Sequence, residues 1–306
     1  MPMTRSRAFL LLALANLMWA GNWVMGRALR DAYDPVTLNF GRWAVATIVL
    51  APFAWSGVAR ALPSVRKHFG WILLMSFTGV ALFQSLVYLG LRTTTAVNGV
   101  LINSSMPLFM ILCSSAIERE HATRRQVAGM LVSLVGILVI VSHGRLENVL
   151  QLELRPGDAW ILLAMPVWGV YSVLLKRRPS ELGGIPFLFV ISVLGLALLA
   201  PFVAYRAMQM PLHVPSAPQA TGIIYMGLAA SVVAFICWNR GVAVVGANAA
   251  GFTIHLLPAF GTILAILFLG ESFGVFHAVG IATILAGVVL ATRAPVPKGW
   301  GFPSKR

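Results

Sequence analysis

Residues 96–120, AVNGVLINSSMPLFMILCSSAIERE, and residues 247–271, ANAAGFTIHLLPAFGTILAILFLGE, are two copies of one segment. At an offset of 151, Ala96 falls on Ala247, Pro107 on Pro258, Phe109 on Phe260 and Glu120 on Glu271. The register extends outward on both sides, with Gly90 on Gly241, then Gly129 on Gly280, Leu134 on Leu285 and Gly136 on Gly287. Pro35 meets Pro186 at the same offset, and nearer the start an offset of 149 puts Trp19 on Trp168 and Arg27 on Lys176. Apolar coincidences are cheap in an apolar chain, but proline, glutamate and paired glycines in register are not. The chain is therefore read as two homologous halves, residues 1–145 and 146–306.

Composition says what solvent the halves face. Hydrophobic residues make up 58% of the chain and charged residues 10%, with a mean hydropathy of +0.85. A water-soluble domain could not solvate itself with so few charges, so the solvent is lipid. Apolar runs of about 20 residues, the length that spans the hydrocarbon core, fall at about 8–27, 36–55, 70–90, 96–116 and 126–143. A second set falls at about 158–176, 186–204, 220–240, 247–269 and 274–292. The expected fold is an all-α integral membrane protein of ten transmembrane helices, with no room for a sizeable soluble domain. Arg5 and Arg7 before the first run resemble a signal-peptide start. Its Trp19-Ala20-Gly21 stretch, however, has a counterpart at Trp168-Gly169-Val170, so the run is read as part of the folded unit.

The formal charge of +14 does not point to nucleic acid, because the basic residues lie in short clusters between apolar runs, where they set topology. With ten crossings, sixteen Lys and Arg residues fall on the side of the termini, in clusters such as Arg66-Lys67, Arg124-Arg125 and Lys176-Arg177-Arg178. Six fall on the other side: Arg27, Arg30, Arg92, Arg145, Arg155 and Arg206. The asymmetry puts both termini in the cytoplasm of a cell whose inner membrane the chain spans. Each half then holds five helices, an odd number, so the second is inverted relative to the first. That plan lets a protein open first to one side and then to the other around a site between the halves.

Several ordered stretches resemble a known family, the EamA branch of the drug/metabolite transporter superfamily. Trp19-Ala20-Gly21-Asn22-Trp23-Val24-Met25-Gly26-Arg27 is similar to its first-helix signature, with Ala20 in place of the usual glycine. Asp34-Pro35 followed by Arg42 resembles its second helix, and Trp168-Gly169-Val170-Tyr171 to Lys176-Arg177 its sixth. The opening repeated segments resemble its fourth and ninth helices. The likeness covers about residues 8 to 292 and implies a central cavity, with members that export or exchange amino acids, other metabolites or toxic compounds.

Polar groups in apolar helices are costly unless they face protein or water, so each is a candidate for function. They are Asn16, Asn22, Asn39, Arg42, Gln84, Tyr88, Asn98, Asn103, Asn239, Asn248 and His255. Amides also hold helices together, at about 1 kcal/mol each. Spacing helps to choose: Gln84 and Tyr88 share a helix face, as do Trp19 and Trp23, with Asn22 three after Trp19 and Tyr171 three after Trp168. The expected substrate-binding set is Trp19, Asn22, Arg42, Gln84, Tyr88, Asn98, Trp168, Tyr171, Asn239 and His255. The alternative for tryptophan, an interfacial belt, fits Trp55, Trp71 and Trp300 better than Trp19 and Trp168. Arg42 has two readings: it attracts a carboxylate, or it snorkels outward or caps carbonyls. Pro107 and Pro258, both mid-helix, are either gating hinges or static bends.

No Asp or Glu lies at the centre of a span, so a carboxylate proton relay is missing and His255 is the one titratable candidate near neutral pH. The expectation is a facilitator or a weakly proton-linked exporter. Cys113 and Cys237 are read as packed thiols. No metal or cofactor motif is present, and no enzyme constellation such as HExxH or a Walker loop. The expected partners are a small-molecule substrate and the lipid bilayer, with oligomeric state left open. Amino acids and similar zwitterions come first as cargo and lipophilic drugs second. A membrane helper or sensor subunit is the reading from another class.

Overall fold

The computed structural model describes residues 3–145, 147, 148, 153–209, 213–269 and 273–293, which form helices and no strands. Glu271, Gly270, Trp300 and the basic residues Lys298, Lys305 and Arg306 lie outside the described residues. Among the described residues, ten helices are long and apolar enough to cross a membrane. They are α1 (Arg5–Ala28), α2 (Pro35–Lys67), α3 (Phe69–Thr93), α4 (Asn98–Glu118), α5 (Arg124–Val141), α6 (Pro156–Arg177), α7 (Gly184–Gln209), α8 (Ala217–Val245), α9 (Ala247–Leu264) and α10 (Val275–Thr292). The first and last meet at one end of the bundle, where an Arg5 Nη2 donates to the Thr292 carbonyl at 2.5 Å. Two inverted five-helix halves account for this arrangement.

Local chemistry sets the helix limits. Asp34 caps α2 by accepting from the Val36 and Thr37 amides at 3.0 and 3.1 Å, with Pro35 at the first helical position, where its missing N–H costs nothing. α2 runs to Lys67 rather than to about residue 55. Its 33 residues span about 50 Å, against a hydrocarbon core of about 30 Å. The last turns, with Arg60, Arg66 and Lys67, therefore stand clear of lipid, and an apolar-run reading misses them because they are amphipathic. Gly246, at a φ of 90° that favours glycine, turns the chain from α8 into α9.

Two pairs of matched irregularities lie inside the spans, and neither is visible in hydropathy. Phe77–Leu82 in α3 and Met226–Val233 in α8 are π-helical, at corresponding places in the two halves. A π-turn widens the helix and leaves carbonyls without their usual donors. In α3, Asn39 Nδ2 donates to the Val80 and Ala81 carbonyls at 2.9 and 3.2 Å. In α8, Trp19 Nε1 donates to the Ala230 carbonyl at 3.1 Å.

The other pair corrects the picture of continuous α4 and α9 with mid-helix prolines. The fourth span is two helices, Ala96–Asn103 and Met106–Glu118, broken at Ser104-Ser105. The ninth is Ala247–Phe252, a 3-10 turn Thr253–His255, and Leu256–Leu269. Pro107 and Pro258 therefore sit in the first turn after each break, where a missing N–H is tolerated. The breaks touch: His255 Nε2 donates to the Ser104 carbonyl at 2.9 Å, across 151 residues of chain. The residues that correspond by the repeat thus bond to each other, which places the pseudo-two-fold axis between them.

α5 and α10 pack along their length on glycine. A Cβ at Gly129 would lie 2.5 Å from the Gly287 carbonyl oxygen, and one at Gly136 2.7 Å from that of Gly280. The register glycines therefore let two antiparallel backbones touch. The main core fills the space among the other spans, with Trp43, Trp168 and Trp238 among its largest fully buried side chains. Cys113 and Cys237 are free thiols within it. Trp55 is exposed on α2, while Trp71 lies 5.6 Å from the ring of Phe187 on α7.

Candidate functional site

A cavity of about 30 Å³ lies at the centre of the bundle, lined by Trp19, Asn22, Trp23, Phe83, Gln84, Asn103, Met106, Trp168, Phe235, Ile254 and Leu257. That volume suits a water or two. Its lining follows the repeat: Trp19 pairs with Trp168 at the offset of 149, and Gln84 with Phe235, Asn103 with Ile254 and Met106 with Leu257 at 151. The cavity therefore sits on the pseudo-two-fold axis. The two halves contribute different chemistry, however. The amides Asn22, Gln84 and Asn103 all come from the first, whereas the second presents Trp168, Phe235, Ile254 and Leu257.

The aromatic side is a packed cluster. Trp19 and Trp168 meet edge to face with centroids 5.2 Å apart, and Phe83 lies 4.8 Å from Trp168 and Phe235 5.5 Å from it. Trp168 also stacks on Tyr171 at 5.1 Å. Such rings offer a rigid apolar wall with a quadrupole for a cation or a flat group.

Behind the amide side stands Arg42, 1% exposed. Its Nε donates to Ser231 Oγ at 2.7 Å, one Nη donates to Asn22 Oδ1 at 3.3 Å and to Tyr88 Oη at 3.1 Å, and the other reaches the Ala230 carbonyl at 3.4 Å. The guanidinium does not snorkel; it reaches from the first half to the π-turn of the second. A cation at this depth costs about 3 kcal/mol or more. No carboxylate pairs with it among the described residues. Tyr88 Oη also donates to Asn22 Oδ1 at 2.9 Å. With Oδ1 occupied by two donors, Asn22 has only its N–H groups left to offer. Asn103 Nδ2 is buried with no hydrogen-bond partner among the described residues, and Gln84 Nε2 is buried with none beyond the Tyr88 hydroxyl it faces; the residues are 3% and 7% exposed.

Of the ten expected substrate residues, Trp19, Asn22, Gln84 and Trp168 thus line the cavity, and Arg42 and Tyr88 bond directly to its wall. Tyr171 and Asn239 bond to each other at 3.0 Å behind Trp168. They occupy the positions that Asn22 and Tyr88 hold in the first half, with tyrosine and asparagine exchanged. The structure does not bring Asn98 or His255 to the cavity. Asn98 Nδ2 donates to Asp158 Oδ2 at 2.8 Å and to the Glu153 carbonyl at 2.9 Å, and Thr94 also bonds to Asp158. His255 is fully buried, its Nδ1 on Ser133 Oγ and its Nε2 on Ser104. Asn16 bonds to Thr253 Oγ1 at 3.1 Å and ties α1 to the break in α9.

Sequence reasoning did not place Phe83, Met106, Phe235, Ile254 and Leu257 in the lining. The repeat held the signal for two of them: Gln84, advanced by 151, is Phe235. The same step carries Asn103, already on the polar list, to Ile254.

A second cavity of about 710 Å³ leads away from the first and shares Trp23 and Leu257 with it. Its wall includes Arg27, Arg30, Asp31, His143, Pro258 and His277, and it reaches the surface at Asp31 and His143, at the end of the bundle opposite the termini. Toward the terminal end the path is closed. Tyr171 and Trp238 are fully buried there, and the ends of α4 and α6 are joined by Lys176–Glu120 at 3.1 Å and Arg177–Glu118 at 2.8 Å.

Comparison with known proteins places this architecture. The sequence profile of the EamA-like transporter family matches twice, over residues 6–142 and 155–293. An uncharacterized transporter of Archaeoglobus fulgidus is 28% identical over 94% of this chain and 98% of its own. A probable terminal-alkyne amino-acid exporter of Streptantibioticus cattleyicolor is 28% identical over 95% of each. The uncharacterized transporter YetK of Bacillus subtilis is 25% identical over 92% of this chain and 85% of its own. A crystal structure superimposes with a TM-score of 0.73 at 21% identity, over 94% of this chain and 97% of the other, and shows the same fold.

Proposed function

We propose, from the premise that this chain belongs to the EamA-like transporter family, that it exports small polar metabolites such as amino acids by alternating access. The observation that carries this reading is the position of the amide-and-aromatic cavity. It lies on the axis between two inverted halves, joined to a vestibule at one end and shut off by packed side chains and ion pairs at the other. In such a plan, exchanging the conformations of the two halves reverses which end is open. The distribution of Lys and Arg supports cytoplasmic termini in an inner membrane, so the open vestibule faces outward. The relative that is a probable exporter of an amino acid supports the cargo class.

Transport of this kind is facilitated rather than proton-driven. Both nitrogens of His255 are engaged by Ser133 and Ser104, and the acid nearest a span interior, Asp158, is held by Thr94 and Asn98 in the first turn of α6. The aromatic wall favours a second reading, export of lipophilic toxic compounds. Cells that overproduce the protein are expected to survive toxic amino-acid analogues at severalfold higher doses than control cells, with no protection against cationic dyes. Protection against dyes alone would favour the second reading. Purified protein in proteoliposomes that moves neither class would overturn transport and leave a helper or sensor role.

A further inference from the structure

We infer that the central cavity binds the carboxylate end of its cargo on the first-half wall, at Asn103, Gln84 and Asn22 in the field of Arg42, and that it selects carboxylates over organic cations. The inference rests on the reading that this cavity is the transport site.

Three observations converge on it. First, amides bind either sign of charge, but here one of them is fixed. Arg42 and Tyr88 occupy Asn22 Oδ1 at 3.3 and 2.9 Å, so Asn22 presents only N–H to the cavity. Second, Asn103 Nδ2 is buried without an acceptor among the described residues, and Gln84 Nε2 has only the Tyr88 hydroxyl. A buried donor without a partner costs free energy until a ligand acceptor arrives, and a carboxylate has about four acceptor sites for such donors. Third, among the described residues the guanidinium is the one formal charge bonded to the wall, with no carboxylate among the cavity-lining residues. In a medium of low dielectric constant that charge acts on a ligand far more strongly than it would in water. The approach has the same sign: the vestibule wall carries Arg27 and Arg30 against one acid, Asp31, which is paired with Arg30 at 3.4 Å.

The opposite wall then sets the rest of the ligand. Trp168, Phe235, Ile254 and Leu257 offer no charge and no anionic group for an ammonium. An apolar or aromatic side chain packs there once the cavity, which as it stands has room for a water or two, widens around the cargo, and an amino group is held at most by the tryptophan faces, a weaker contact than an ion pair. For a cargo that is a net anion, an inside-negative potential of about 100 mV already favours export roughly fiftyfold, so no proton relay is required.

The test is binding of four ligands with a common phenyl ring to the purified full chain in detergent, by calorimetry: 3-phenylpropionate, phenylalanine, 2-phenylethanol and phenethylamine. The two carboxylates are expected to bind at least about tenfold more tightly than the amine, with the alcohol between. Asn103→Leu, which keeps the branched side-chain shape and removes a donor that has no partner among the described residues, is expected to weaken the carboxylates about tenfold, the loss of one charge-assisted hydrogen bond. It should leave the alcohol within about twofold. Arg42→Gln, checked for folding by size exclusion, should bring 3-phenylpropionate and phenethylamine within about threefold of each other. Phenethylamine that binds the wild-type chain as tightly as 3-phenylpropionate, or carboxylate binding unchanged in Asn103→Leu, overturns this inference and leaves the transport site standing. Failure of all four ligands to bind removes the transport site itself.

Discussion

The two halves of this protein share their backbone devices and differ in what they offer a ligand. Each has a π-turn in its third helix, a break in its fourth, and an aromatic at the matched positions Trp19 and Trp168. Each has a tyrosine–asparagine bond, Tyr88 to Asn22 in one and Tyr171 to Asn239 in the other. Yet Gln84 and Asn103 of the first half are answered by Phe235 and Ile254 of the second, and Arg42, at the offset set by Pro35 and Pro186, by the lipid-exposed Val193. Symmetry is kept where the two halves must be able to exchange conformations, and broken where a cargo must be oriented. A cavity symmetric in chemistry would hold a polar-and-apolar solute equally well in either direction.

The backbone devices should respond alike in both halves, and the largest effect belongs to the glycine contact. Gly129→Val and Gly280→Val each place a side chain against the backbone of the partner helix. Each is expected to destabilise by about 3 kcal/mol, read as loss of monodisperse protein and a lower Tm in detergent. One variant unaffected beside one unfolded would break the equivalence of α5 and α10.

The tyrosine–asparagine bonds should respond differently, which sharpens the contrast. Tyr171→Phe leaves the buried Asn239 Oδ1 without its donor and is expected to cost about 1–2 kcal/mol of stability with transport within about twofold. Tyr88→Phe leaves Asn22 Oδ1 still held by Arg42, so stability should fall by less than about 1 kcal/mol while uptake into proteoliposomes drops severalfold. The reverse pattern would put the cargo on the second half.

The smallest effect concerns the bond on the axis. His255→Gln keeps a donor for the Ser104 carbonyl and is expected to lower stability by about 1 kcal/mol. Transport should respond equally little to an imposed pH gradient before and after the change. Wild-type transport that follows the gradient and loses that dependence in His255→Gln would make the residue a proton carrier.

Much of this was legible in the chain because lipid imposes a coarse code. An apolar run of a given length must cross, since no unsatisfied backbone survives in hydrocarbon, and a duplicated Pro, Glu and glycine register survives drift. The polar inventory was legible only as an inventory. Asn98, Asn22 and Asn39 look equivalent in sequence, each an amide in an apolar run. One caps a cluster around Asp158, one lines the cavity, and one donates to the carbonyls freed by a π-turn.

The sequence by itself determined the solvent, the ten crossings, the duplication and, through an odd number of helices per half, the inversion. Each of these follows from composition or from counting. Only the tertiary structure decided that α4 and α9 are broken beside their prolines, that Arg42 faces inward and is shared between the halves, and that His255 lies on the axis away from the cavity. Those outcomes depend on where a side chain finds a partner across the bundle, and a one-dimensional pattern carries no distance between residues far apart in the chain.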